Sequence, residues 1–139
     1  MKIIGFNFTK INVEKFSQKA KDLKVNTKID VSDIDSVNSD IFKGDEGILG
    51  VKFTHIINYD PDFAKIEFAG SVIVSLNSKK AKEVLKQWKD KTMPDDFKVF
   101  IFNFILRKSS LKALQLEEEV NLPLHIKFPQ LGLKEPTQN

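Results

Sequence analysis

The sequence predicts an α+β fold: a four-stranded antiparallel sheet with one or two C-terminal helices packed on one face. Three observations carry this expectation. Residues 2–76 alternate apolar and polar side chains in four stretches, the period of a half-buried strand. Asp60-Pro61-Asp62 supplies a tight turn between the last two stretches, because proline presets φ and aspartate bonds back to the backbone. After Asn77 the apolar period lengthens to that of a helix.

In the first stretch, Ile4, Phe6 and Phe8 share one parity and Ile11 and Val13 the other, which a bulge between Phe8 and Ile11 would produce. The second, residues 25–31, sets Val25, Thr27, Ile29 and Val31 on one face. From Ser32 to Glu46 serine, aspartate and asparagine dominate, so an acidic loop with an Ile41-Phe42 anchor is expected. Residues 48–59 and 63–76 then place Val51, Phe53, Ile57 and Tyr59 opposite Ile66, Phe68, Val72 and Val74, a long hairpin about the Asp-Pro-Asp turn.

Asn77-Ser78 is a good N-cap for a helix whose apolar side is Ala81, Val84, Leu85 and Trp88, with lysines from Lys79 to Lys91 on the other side. Met93-Pro94-Asp95-Asp96 opens a second helix: proline suits a first turn, and two acids complement the positive end of the helix dipole. From Phe97 to Leu106 that helix is apolar on nearly every side. The run is too short for a membrane span, which needs ~20 residues. A helix apolar all round must be covered all round, and one sheet covers one side. The expectation is a homo-oligomer, dimer or tetramer, with Phe97, Phe100, Ile101, Phe104 and Ile105 at the interface. The helix is expected to continue, with a break allowed at Ser109-Ser110, to a solvated Glu117-Glu118-Glu119 end before Asn121-Leu122-Pro123. The chain of 139 residues fits one domain over 1–133 and a frayed tail over 134–139.

Composition narrows the function. There is no cysteine, which removes disulfides, thiolate metal sites and a cysteine nucleophile. Neither a P-loop, a dinucleotide fingerprint nor a GxSxG turn is present. Asp33, Asp35, Asp40, Asp45 and Glu46 are oxygen-rich but fit no EF-hand spacing, so a solvated loop is the simpler reading. His55 shares the parity of Phe53 and Ile57, which points to a core histidine with one satisfied hydrogen bond rather than a catalytic base; His125 is expected to pack. No catalytic residue, metal or cofactor is assigned, and no enzyme activity is expected. The net charge is +3, carried by residues 61–139, and Arg107 is the one arginine among 22 basic residues. Arginine is the usual bidentate reader of guanine and phosphate, so the lysine face reads as solubilising and argues against nucleic acid. Met1–Gly5 lead into no long apolar run, so no secretory signal and a cytoplasmic location are expected.

Four antiparallel strands with a long third–fourth hairpin, followed by a long apolar helix, resemble the fold of the SecB export chaperone. Phe128-Pro129-Gln130-Leu131-Gly132-Leu133 is similar to the Phe-Pro-x-Leu-x-Leu segment after the long helix of that family. The chain resembles the divergent, archaeal-type SecB-like proteins in particular. The resemblance implies a tetramer built as a dimer of dimers, and ATP-independent holding of non-native polypeptides. It places Phe128, Leu131 and Leu133 in client binding. SecB proteins dock the SecA motor on an acidic sheet, which a chain at +3 does not offer. Client holding is therefore implied more strongly than export. The alternative is a non-catalytic homo-oligomeric structural or regulatory partner protein.

Overall fold

The structure, a computed structural model, describes residues 1–19, 21–37 and 46–133. Strands β1 (Lys2–Lys15), β2 (Lys24–Ser36), β3 (Glu46–Asp60) and β4 (Ala64–Asn77) precede helices α1 (Ser78–Trp88) and α2 (Asp95–Val120). All neighbours are antiparallel, in the order β1-β4-β3-β2. β2, β3 and β4 are sequential neighbours, and β1 lies beside β4, so β1 and β2 are the sheet's edges.

Alternation does what the sequence predicts. Val51, Phe53, Ile57, Tyr59, Ile66, Phe68, Val72 and Val74 are buried on the face that meets the helices. The other face carries charge, with Glu67 between Lys10 (3.2 Å) and Lys65 (3.5 Å). The register of β1 against β4 shifts between Phe8 and Lys10, where the change of parity requires a bulge, and once more between Ile3 and Gly5. Opposite Phe8, Gly70 has no room for a side chain: a Cβ there would sit 2.3 Å from the Asn7 carbonyl oxygen.

β2 is longer than the sequence implies. Instead of yielding to a loop at Ser32, it absorbs the change of parity in a register shift between Val31 and Asp33, and this brings Ile34 into the core. Asp33 and Asp35 thus belong to a strand. Asp40, Asp45 and the Ile41-Phe42 anchor lie outside the described residues, as do 134–139.

Asn77 caps α1, its side chain accepting from the Lys80 N–H at 2.7 Å. α2 runs unbroken through Ser109-Ser110, and within it the Ser109 hydroxyl donates to the Ile105 carbonyl one turn back at 2.6 Å. Its buried row is Phe97, Ile101, Ile105, Ser109, Ala113 and Glu117, each four residues on, with Leu116 beside it. Such a row is inclined roughly 26° to the helix axis. The first half of α2 therefore meets the cluster around Phe53, Val72 and Trp88, and the second half the cluster around Tyr59, Ile66 and Phe68. Asn121, left-handed at φ 57°, ends the helix, and the Leu122 N–H returns to the Glu117 carbonyl at 2.9 Å.

Candidate functional site: the outward face of helix α2 and the tail clasp

With Phe97, Ile101 and Ile105 committed to the sheet, the 3.6-residue period turns Val99, Phe100, Asn103, Phe104 and Arg107 away from it. These residues, with Met1 just ahead of β1, line an open groove of about 810 Å³. Its floor is apolar. Val99 is 59% exposed, and Phe104 meets Phe6 of β1 edge to face, ring centroids 5.6 Å apart. Asp95 and Asp96 stand at one end and Arg107 at the other. Asp96 already binds Lys80 at 2.9 Å, which holds its carboxyl below the usual carboxylate range, and it also accepts from the Phe97 N–H. Among the described residues, Asp95 and Arg107 have no ion-pair partner.

Five residues were expected at an oligomer interface, and they divide by burial. Phe97, Ile101 and Ile105 are wholly buried inside the protomer, against the sheet. Phe100 and Phe104 are half-buried and line the groove. The four-residue row in the sequence separates the two sets, since Phe97, Ile101 and Ile105 fall on it and Phe100 and Phe104 do not.

The tail is tied down at its root. The Tyr59 hydroxyl donates to the Pro123 carbonyl at 2.5 Å, and Lys15 Nζ reaches the Val120 carbonyl at 3.2 Å. The His125 backbone N–H and Nδ1–H both donate to the Glu117 carboxylate, at 2.9 Å to Oε1 and 2.7 Å to Oε2. Glu117 is fully buried, so the solvated helix end expected over Glu117-Glu118-Glu119 is wrong at its first residue, and His125 does more than pack. Burial, then the nearby Glu117 carboxylate, pushes the Tyr59 phenol up. Beyond the clasp the tail is bare: Phe128 is 52% exposed, and Leu131 and Leu133 are fully exposed. A second hollow, about 480 Å³, lies along Leu124, Ile126 and Phe128. It shares no lining residue with the α2 groove, so the two expected sites are separate surfaces.

His55 is the core histidine the sequence implied. Its Nδ1 lies 2.6 Å from Ser109 Oγ, and both residues are fully buried. A carbonyl can only accept, so the Ser109 proton goes to Ile105 and Nδ1 of His55 must be the donor. That arrangement is the reverse of a base activating a serine. Burial first, and repulsion from His125 second, push the His55 imidazole down to about 4. Among the described residues no cluster of three histidine, aspartate or glutamate side chains could hold a metal ion, and no helix is long and apolar enough to cross a membrane.

No protein-family model and no curated protein matches this chain. A solved structure does: the SecB-like chaperone Rv1957 of Mycobacterium tuberculosis, in complex with a ChAD peptide from the Rv1956 HigA1 antitoxin. It superposes with a TM-score of 0.51 over 96% of this chain and 92% of its own, at 11% identity. The fold is SecB-like. At that identity the likeness is one of architecture, and the relative is bacterial, which lends nothing to the archaeal-type resemblance.

Proposed function

We propose that this protein is an ATP-independent holding module for non-native polypeptides, working in the cytoplasm as a homo-oligomer on a SecB-like frame. The observation that carries the reading is the bare apolar tail. Phe128, Leu131 and Leu133 are set out in solvent by a backbone that two buried side chains, Tyr59 and Glu117, fasten at its root. The strip lies beside the hollow along Leu124, Ile126 and Phe128, a geometry suited to extended apolar chains. The structural relative's own complex with a peptide agrees with that use. Phe100 and Phe104 serve assembly in this reading.

The test is a titration with a permanently unfolded polypeptide, with native mass recorded in the same samples. Binding at roughly micromolar strength or tighter by an oligomer supports the reading. An equally stable oligomer that ignores unfolded chains sinks it in favour of the structural or regulatory partner protein. Asp95 and Arg107, at the two ends of the α2 groove and without an ion-pair partner among the described residues, favour that second reading, because fixed charges select one partner more than many clients.

A further inference from the structure

We propose that helix α1 docks on an anionic lipid surface through a stripe of lysines, Lys79, Lys82, Lys86 and Lys89. Residues 78–91 hold six lysines against Glu83 and Asp90, an excess of four positive charges in a chain whose total is +3. The charge is ordered. The stripe lysines follow one another at intervals of three, four and three residues, which keeps them on one side of the helix. Lys89, the C-cap, retains helical angles and so continues the row. Ala81, Val84 and Trp88 are buried on the other side, and all four stripe residues are exposed. Lys80, off the stripe, takes Glu83 at 3.5 Å and Asp96 at 2.9 Å. Among the described residues the stripe lysines have no ion-pair partner, and Asp90 adjoins only the last of them. The row is about 15 Å long at 1.5 Å per residue. It shares no residue with the α2 groove or the tail hollow, so it adds to the holding reading without depending on it.

What the stripe lacks selects the partner. A protein interface is organised round apolar and aromatic anchors, and no large apolar side chain of α1 is exposed. Single-stranded nucleic acid calls for open aromatic rings on which bases stack. Trp88 is 9% exposed, and the Lys91 ammonium lies 4.6 Å from its ring centroid. Reading a duplex draws on the bidentate fork of arginine, and Arg107 is on α2. A layer of lipid phosphates asks only for unpaired positive charge along one side of a rigid element. Cytoplasmic leaflets carry a negative surface potential, and each lysine near one strengthens partitioning about fivefold.

The experiment measures co-sedimentation of the full chain with vesicles of phosphatidylcholine alone and of an equimolar phosphatidylcholine–phosphatidylglycerol mixture. The wild type is compared with Lys82→Gln plus Lys86→Gln, with Lys82→Arg plus Lys86→Arg, and with Lys21→Gln plus Lys24→Gln. All these positions are exposed, and circular dichroism verifies each fold. Lys24 pairs with Asp60 and Asn77 with Glu46, so the last variant makes the same change of net charge at the end of β3 remote from the start of α1. The wild type should bind the mixed vesicles and not the neutral ones. Binding should vanish near about 1 M salt, where the Debye length is ~3 Å. The glutamine pair in the stripe should bind about 25-fold more weakly, while the arginine pair and the Lys21–Lys24 pair stay close to the wild type. No binding to mixed vesicles, equal binding to neutral ones, an arginine pair as weak as the glutamine pair, or equal losses in both glutamine variants overturns the proposal. So does a duplex RNA that the stripe lysines bind more tightly than the vesicles, which would make the anion a nucleic acid.

Discussion

The Glu117 carboxylate, wholly buried on α2, accepts from both the backbone N–H and the imidazole Nδ1–H of His125, at 2.9 and 2.7 Å. One side chain thus fixes the path of the tail that follows its own helix. A buried carboxylate without partners would cost several kcal/mol, so the two bonds are what allow Glu117 to sit there. Glu117→Ala removes both acceptors and leaves the His125 donors buried without partners. It should cost roughly 3 kcal/mol in urea denaturation and open the chain near Pro123 to proteolysis. Glu117→Gln retains one carbonyl acceptor and should lose less. Equal stability of all three proteins would show that the tail is not held by this contact.

Acid should act first at His55. Its imidazole is pushed from 6.5 down to about 4 in the folded protein, so the unfolded chain takes up the proton first. Stability contributed by the neutral ring is complete above about pH 6.5 and is lost as the pH falls toward 4, by roughly 3 kcal/mol at most. Denaturation midpoints measured between these limits should fall with pH in the wild type and be flatter in His55→Leu. A slope unchanged in the variant would assign the acid sensitivity to other groups.

Gly70→Ala tests the bulged pairing of β1 with β4. The new methyl would sit 2.3 Å from the Asn7 carbonyl oxygen and 2.9 Å from the Phe53 ring. Backbone cannot yield as a side-chain end can, so β1 must move away from β4. A loss of roughly 1–3 kcal/mol is expected, with Phe53 packing disturbed in near-ultraviolet spectra. A silent substitution would mean that β1 and β4 lie further apart near Asn7.

How much of this was legible in the sequence depends on whether a local pattern records it. The β3–β4 hairpin, the Phe8–Lys10 bulge and the Asn77 cap were, because alternation, parity and cap chemistry are properties of neighbouring residues. The end of β2 was misread, since a polar composition after Val31 hid the buried Ile34. The pairing of β1 with β4 joins residues about sixty apart, and no local pattern reports such a choice. On α2 the apolar run suggested a helix covered all round, while the four-residue row from Phe97 to Glu117 already marked the one buried side. Glu117 itself escaped because two following glutamates made it look like part of a solvated end.

Val99→Asp and Ile101→Asp separate the two sides of α2. Val99 is 59% exposed on the groove, while Ile101 is wholly buried against the sheet. A charge at Ile101 forfeits about 1.5–3 kcal/mol of burial and adds the cost of desolvating a carboxylate, so the protomer should unfold. At Val99 the same charge should leave the circular dichroism and the denaturation midpoint within about 0.5 kcal/mol of wild type and lower the native mass. Unfolding by both would make the outward face part of the protomer's own core.

Last, Phe128→Ser, Leu131→Ser and Leu133→Ser together should weaken binding of an unfolded polypeptide without moving the denaturation midpoint. The reason is positional: Leu131 and Leu133 are fully exposed and Phe128 half so, hence little burial on folding is lost when they become polar. If these side chains meet clients, each contributes on the order of 1 kcal/mol of contact, and affinity should fall by about a hundredfold. Undiminished binding in the triple variant would move the client surface off the tail, and the α2 groove, with Val99, Phe100 and Phe104 on its floor, would be examined next by the same substitutions.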